Sequence, residues 1–375
     1  MQVRLLVAFG HPAHGPGHPS PLHSTGPLFL IFNFAFLIYV ALMSSLIEVK
    51  NLVKEYKTYD RREGLSGAFL DMFAREYKTL RAVDGVSFEI QRGEMIGYIG
   101  ANGAGKSTTI KILCGILYPS SGEVHVDGRV PWRDREAHVQ RIGAVFGQRS
   151  QLWWDLSAGE SLRLLARIYG VTPADYAARM EEFERVLELK SFLNTPARKL
   201  SLGQKMRCEL AASLIHSPPI VFLDEPTIGL DVNAKQSIRD FVKRINRERG
   251  VTVLLTTHDL RDIEELCSRV MILDKGRVIF DGSLDQLRAR STDAGHLTFT
   301  LSRPLEAGWK PDGLPTNDIA WKADAATLTA KLGKEAPPRA EVIRHVLERY
   351  GENVADIAIE EAQIEHVVQR IYASG

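Results

Sequence analysis

The stretch that most limits what this chain can become is Gly100-Ala101-Asn102-Gly103-Ala104-Gly105-Lys106-Ser107-Thr108. It fits G-x-x-x-x-G-K-[ST], in which glycines let successive backbone N–H groups turn inward around a phosphate. Its flanks suit that role. Met95-Ile96-Gly97-Tyr98-Ile99 is an apolar run that predicts a buried strand, and Thr109-Ile110-Lys111-Ile112-Leu113 has the spacing of a helix's first turns. A strand, a glycine loop and a helix in that order bring unpaired N–H groups of a helix N-terminus to an anion. Lys106 adds a point charge for the β- and γ-phosphates, and Ser107 a hydroxyl for Mg²⁺.

Two further strands end in chemistry. Ile220-Val221-Phe222-Leu223 reads as a strand covered on both faces, with Asp224-Glu225-Pro226 at its C-terminal end. Ligands of open α/β sheets bind at that end. Asp224 suits a metal-holding role and Glu225 the general base that accepts a proton from attacking water. Val251–Thr257 is a third core strand, and His258 follows it directly, within reach of a γ-phosphate. Ser201-Leu202-Gly203 reads as a Ser-capped helix start leading into Cys208-Glu209-Leu210, itself a weak signal for an anion site.

Around this centre the chain is heterogeneous. Its 375 residues allow two domains, and a net charge of +1 gives no overall electrostatic case for nucleic acid. Cys114, Cys208 and Cys267 form no C-x-x-C pair and sit among apolar neighbours, which predicts buried thiols in a reducing compartment. Residues 1–43 differ from the rest. His11, His14, His18 and His23 lie among Pro, Gly and Ser, a composition that builds no core, and Pro27 to Met43 is an uncharged run at the lower edge for a membrane span. A bilayer anchor, an uncleaved signal-like segment and an initiation artefact with the true start at Met43 all fit. The alternating pattern that begins after Met43 favours the last.

Leu46–Val53 and Val83–Ile90 predict strands, separated by a charged insertion in which Leu65, Phe69, Met72 and Phe73 fall at helical spacing. Gly122–Val126 and Ile142–Phe146 predict short strands. Trp153-Trp154 then fits either a core or an aromatic docking surface, and residues 158–193 read as helical. Helices at 233–249 and 261–267 and a hairpin at 270–280 follow. Beyond a helix at 283–290, strands at 296–302 and 327–332, a helix at 339–350, a strand at 354–359 and a helix at 363–373 suggest a separate small α+β module.

The order of these motifs resembles the nucleotide-binding subunit of an ABC transporter, over about residues 46–282. The resemblance implies an α/β P-loop NTPase fold with an antiparallel β subdomain and a helical subdomain at about 150–212. The implied division is an extension at 1–43, the ATPase at 44–282 and an accessory α+β module at 283–375. It matches Gly100–Thr108 to the phosphate loop and Gln148 to the Q-loop glutamine, a catalytic and metal-contacting position. Ser201, Gly203 and Gln204 match the signature motif, Asp224 the Mg²⁺ aspartate, Glu225 the catalytic glutamate, Asp231 the D-loop and His258 the switch histidine. Tyr77 is assigned the adenine-stacking role, with Tyr56 as the alternative. Leu202 replaces the first glycine of the usual Leu-Ser-Gly-Gly-Gln, while Ser201 and Gly203 are kept, so activity is expected to survive. The Leu-Ser-Leu-Gly-Gln form resembles a bacterial export branch whose ATPases serve separate ABC-2-type permeases.

From the family follow the expected cofactors, ATP and Mg²⁺. A second copy packed head to tail and integral-membrane permease subunits are the expected partners, with no nucleic acid. The implied location is the cytoplasmic face of the membrane. The contrasting reading is a soluble ABC-family ATPase acting on ribosomes or nucleic acid. Such proteins usually carry two ATPase units or long coiled coils, and this chain has neither.

Overall fold

The computed structural model describes residues 45–59, 77–147, 149–290, 293–305, 309, 311–333, 335–360 and 364–373. Gln148, the amphipathic stretch around Leu65–Phe73 and the apolar run 27–43 lie outside them. The described residues all belong to one compact unit, Ser45–Gly375.

The central sheet has six strands in the order β5 (Ile142–Phe146), β6 (Ile220–Asp224), β7 (Thr252–Thr256), β3 (Met95–Gly100), β8 (Arg269–Asp274) and β9 (Arg277–Ser283). The first five run parallel, and β9 closes the edge as the antiparallel arm of a hairpin. Parallel strands need cover on both faces, and the two-residue period of β6 supplies it. Val221 and Leu223 point into a cluster with helix residues Leu210, Leu214, Ile238 and Phe241. Ile220 and Phe222 point into the opposite cluster with Ile110, Leu113, Ile47 and Val49. That second face is roofed by a three-stranded antiparallel sheet in the order β2 (Tyr77–Ile90), β1 (Ile47–Tyr59) and β4 (Ser121–Val126). Both arms of the charged insertion are thus strand up to Tyr59 and again from Tyr77, longer than the sequence pattern predicts.

Between β5 and β6 the chain makes the expected helical block, with local signals at each start. Ser157 and Glu160 form a capping box for the helix Ala158–Ile168, and Thr172 caps Pro173–Val186 with Pro at its first turn. Ser201 and Gln204 form a second box for Leu202–Leu214. Asp231 caps Val232–Arg249, which Gly250 ends in the left-handed conformation.

The C-terminal region holds a four-stranded antiparallel sheet ordered β11 (Ile319–Asp324), β12 (Thr327–Gly333), β10 (Asp293–Leu301) and β13 (Val354–Glu360). The helix Arg339–Tyr350 buries Val342 and Val346 against it, giving this sheet a core of its own. Strand β11 is absent from the sequence expectation because its six residues, Ile-Ala-Trp-Lys-Ala-Asp, put alanine on both faces and so alternate only weakly. The last helix, Ile364–Ala373, does not join that core. Ile364, Val367 and Val368 pack into the main cluster, and this helix lies against the helix Leu284–Arg288.

Candidate active site

The phosphate loop leaves the C-terminal end of β3 and enters the helix Lys106–Leu113 through Gly105, whose φ of 103° belongs to the left-handed region. A Cβ there would come within 2.3 Å of the Ala82 carbonyl oxygen, so the loop can lie against β2 only with glycine. On its other side the Gly276 N–H, in the β8–β9 turn, donates to the Ala104 carbonyl at 3.2 Å. Lys106 is buried and folds back, its Nζ donating to the Gly100 and Ala101 carbonyls at 2.5 and 3.1 Å. Burial lowers its affinity for a proton, and the nearby charges of Glu225 and Asp224 act the other way.

Asp224 ends β6, one strand removed from β3 across β7. Its Oδ1 accepts from Thr256 Oγ1 at 2.6 Å and from Ser107 Oγ at 3.3 Å. Glu225 follows with φ of 57°, an uncommon conformation for a non-glycine residue, held by its N–H donating to the Thr256 carbonyl at 3.0 Å. That turn brings Glu225 Oε1 to 2.8 Å from His258 Nε2. Thr256 therefore holds both acids, and sequence reading missed it. The available signal was register, since Asp224 pairs with Thr256 across β6 and β7.

A cavity of about 490 Å³ opens beside these groups, lined by Ser107, Lys111, Asp224, Glu225 and, from β1, Tyr56. Tyr77 stands opposite Tyr59 near the outer end of the β1–β2 pair, while Tyr56 stands opposite Leu80. Around the switch, Asp262 is fully buried and accepts from Thr227 Oγ1, from Thr257 Oγ1 at 3.0 Å and from Arg239 Nε at 2.6 Å. One buried carboxylate thus joins the segment after Glu225, the segment before His258 and the helix capped by Asp231.

The signature residues stand apart from this group. Ser201 Oγ accepts from the Gln204 N–H at 3.2 Å, and Gln204 Oε1 accepts from the Ser201 N–H at 3.0 Å. Leu202 is exposed, and Gly203 packs against Ala234. Asp231 Oδ1 accepts from the Ala234 N–H at 2.9 Å. Further along the signature helix, Glu209 is 2% exposed and accepts from Ser150 Oγ and the Gln151 N–H, the turn just after Gln148. Trp153 and Trp154 follow this turn at the surface, Trp154 with 66% of its area exposed. Among the described residues no His/Cys/Asp/Glu cluster could by itself hold a metal ion, and no helix is long and apolar enough to cross a membrane.

A phosphate loop, a strand-end Asp-Glu pair and a histidine aimed at that Glu define a P-loop ATPase on an α/β sheet with an antiparallel roof. Comparison with known proteins narrows the class. The ABC transporter family model matches residues 83–228. The chain is 33% identical over 227 residues to the ABC transporter ATP-binding protein NatA of Bacillus subtilis, covering 60% of this chain and 92% of that protein. It is 31% identical over 298 residues to the daunorubicin resistance ATP-binding protein DrrA3 of Streptomyces coeruleorubidus, covering 80% and 93%. Among solved structures, an ATP-binding subunit of an ABC transporter superposes with a TM-score of 0.55 at 30% identity, over 65% of this chain and 92% of that one. A dimeric ATP-binding cassette in a post-hydrolysis state bound to ADP and Pi gives 0.53 at 29% identity, over 64% and 98%.

The chain belongs to the ATP-binding subunits of ABC transporters. It is an ATPase, and ATP is its nucleotide.

Proposed function

We propose that two copies of this chain close head to tail on ATP, each nucleotide held between the phosphate loop of one copy and Ser201–Gln204 of the other. Closure would drive export through a separate membrane permease, with this subunit held at the cytoplasmic face by that partner. The observation that carries the ATPase half is the meeting of Lys106, Ser107, Asp224, Glu225 and His258 at the C-terminal ends of three neighbouring inner strands. The dimer half is supported by where Ser201 stands. It caps an exposed helix start on an element separate from Lys106, and the surface near it carries exposed Leu202, Ile228 and Val232, the last 80% exposed. Export is supported by relatives named for resistance to daunorubicin and to linearmycin. In this reading residues 44–282 are the ATPase and 283–375 an accessory region.

The backbone N–H groups of the loop and Lys106 hold the phosphates, with Lys106 trading its carbonyl partners for phosphate oxygens. Glu225 accepts the proton of the attacking water on a carboxylate oxygen. His258 Nε2, 2.8 Å from Glu225, fixes the orientation of that carboxylate and reaches toward the γ-phosphate. The hard oxygens of Ser107 and Asp224, 3.3 Å apart, would hold a Mg²⁺ ion, with Gln148 assigned as a further ligand by the family resemblance. When bound, the ion would supply positive charge against the β- and γ-phosphates. We assign the adenine to Tyr56, because it lines the cavity beside Ser107 and Asp224, in preference to Tyr77.

Changing Glu225→Gln keeps the size of the side chain and removes the base. Steady-state ATP hydrolysis should fall by about 100-fold or more, while equilibrium binding of ATP stays within a few-fold of the unaltered chain. Hydrolysis at the unaltered rate would overturn the assignment.

A further inference from the structure

Two helices that start beside the candidate site are joined along their length by opposite charges. Val232–Arg249 is capped by Asp231, and Leu260–Leu266 by Asp259, the residue after His258. On the first, Lys235, Arg239 and Lys243 recur at every fourth position and share one face. On the second, Asp259, Asp262 and Glu265 recur at every third. Lys235 Nζ lies 2.7 Å from Asp259 Oδ2, Arg239 Nε 2.6 Å from Asp262 Oδ1 and Lys243 Nζ 3.1 Å from Glu265 Oε2. The outer pairs are open to water and stabilise little. The middle pair differs, because Asp262 is fully buried and Arg239 is nearly so.

A buried ion pair is seldom a net source of stability, since both charges give up their water. Asp262 offsets that cost by using both of its oxygens. Oδ1 accepts from Arg239, and Oδ2 accepts from two hydroxyls, Thr227 Oγ1 and Thr257 Oγ1. Both threonines are buried, and each belongs to a turn that carries one member of the Glu225–His258 pair. Thr227 stands two residues after Glu225, where the Ile228 N–H donates to the Glu225 carbonyl at 3.4 Å. Thr257 directly precedes His258, and its Oγ1 accepts from the Asp259 N–H at 3.0 Å. Thr256 fixes the backbone where β6 and β7 end. Beyond those ends, the two turns meet at one carboxylate oxygen.

We propose that Asp262 is a positioning residue for ATP hydrolysis: through Thr227 and Thr257 it holds the turns of Glu225 and His258 in one frame, anchored by Arg239 to the helix Val232–Arg249. Fully buried, it acts on the rate only through the geometry of the Glu225–His258 contact. The proposal rests on the reading of Glu225 as the base and His258 as its partner. It leaves ATP affinity to the phosphate loop.

The test is Thr227→Val, Thr257→Val and the double variant in the full chain, since valine keeps the shape of threonine and removes its hydroxyl. Each single change should lower kcat about 10-fold, the loss expected for a hydrogen bond to a charged group. KM and the dissociation constant for trinitrophenyl-ATP should stay within about twofold, a split that marks an effect on the chemical step. The melting temperature should stay within about 5 °C. The double variant should be about as slow as either single one, because breaking one link already separates the turns. Thr227→Ser and Thr257→Ser keep the hydroxyl and should hold kcat within about threefold of the unaltered chain. An unchanged kcat in either valine variant would overturn the proposal, as would losses that multiply to about 100-fold in the double variant. A serine variant as slow as its valine counterpart would overturn it too, as would KM, kcat and melting temperature all worsening together. Glu225→Gln is measured in parallel. Hydrolysis at the unaltered rate in that variant removes the base reading itself, a failure separate from those of the threonine variants.

Discussion

Glu209 places a carboxylate where only 2% of the residue meets solvent, and it is stable there because donors surround it. Ser150 Oγ and the Gln151 N–H donate to it, and burial still pushes its proton affinity up. Gln151 in turn donates from Nε2 to the Ala144 carbonyl at 2.7 Å, so the turn is pinned at two points. Replacing Glu209 with Ala leaves a hydroxyl and an N–H without an acceptor, at a cost of about 2–4 kcal/mol. Chemical denaturation should register that loss, and Glu209→Gln, which keeps an acceptor oxygen, should recover part of it. A Glu209→Ala chain as stable as the unaltered one would show that water replaces the carboxylate. In the sequence Glu209 was one polar residue on a capped helix. Its role depends on a turn some sixty positions away, which no local pattern encodes.

At the scale of elements, the strand, glycine loop and helix around Gly100–Thr108 were legible because the motif that signals them is local. Three glycines, a lysine and a hydroxyl within nine positions need only a strand before and a helix after, and both flanks announced themselves by apolar spacing. What the motif did not reveal is the wall behind it. Gly105→Ala would press a Cβ onto the Ala82 carbonyl at a φ of 103°, costing on the order of 1–3 kcal/mol and pushing the loop off β2. That variant should keep its far-UV circular dichroism and lose ATP binding; ordinary ATP affinity would contradict the proposed loop geometry. The adenine-stacking aromatic was harder to place by sequence, because Tyr56 and Tyr77 flank the same insertion at similar distances. Pairing Tyr56 with Leu80 and Tyr59 with Tyr77 separates them in space. The C-terminal order was misread at β11, where alternation was too weak to signal a strand.

On the scale of the whole molecule, the expected α/β sheet and helical block are present because periodicity declares their strands and helices, and the antiparallel roof is present as the family resemblance implied. Less accessible was the path of the last helix, whose apolar stripe fits any core and in fact fits the distant one. The same limit applies to assembly. If the dimer closes as proposed, the Glu225→Gln chain should shift from monomer to dimer mass in light scattering when ATP and Mg²⁺ are added. Adding Ser201→Arg to it should block that shift while leaving trinitrophenyl-ATP binding intact. A dimer that forms regardless of Ser201→Arg would place the contact elsewhere.

The strand order β6-β7-β3 has a last consequence. Asp224, His258 and the phosphate loop leave three neighbouring strands, and neighbours are set about 4.8 Å apart by their hydrogen bonds. The sheet acts as a ruler with fixed graduations, on which the groups proposed to act on ATP are mounted at successive marks. Side-chain exchanges in the covering helices can change how firmly the ruler is held without changing its divisions. The spacing of the proposed site is thereby insulated from the drift of the core around it, and the tunable parts are left to the loops and to whatever touches them.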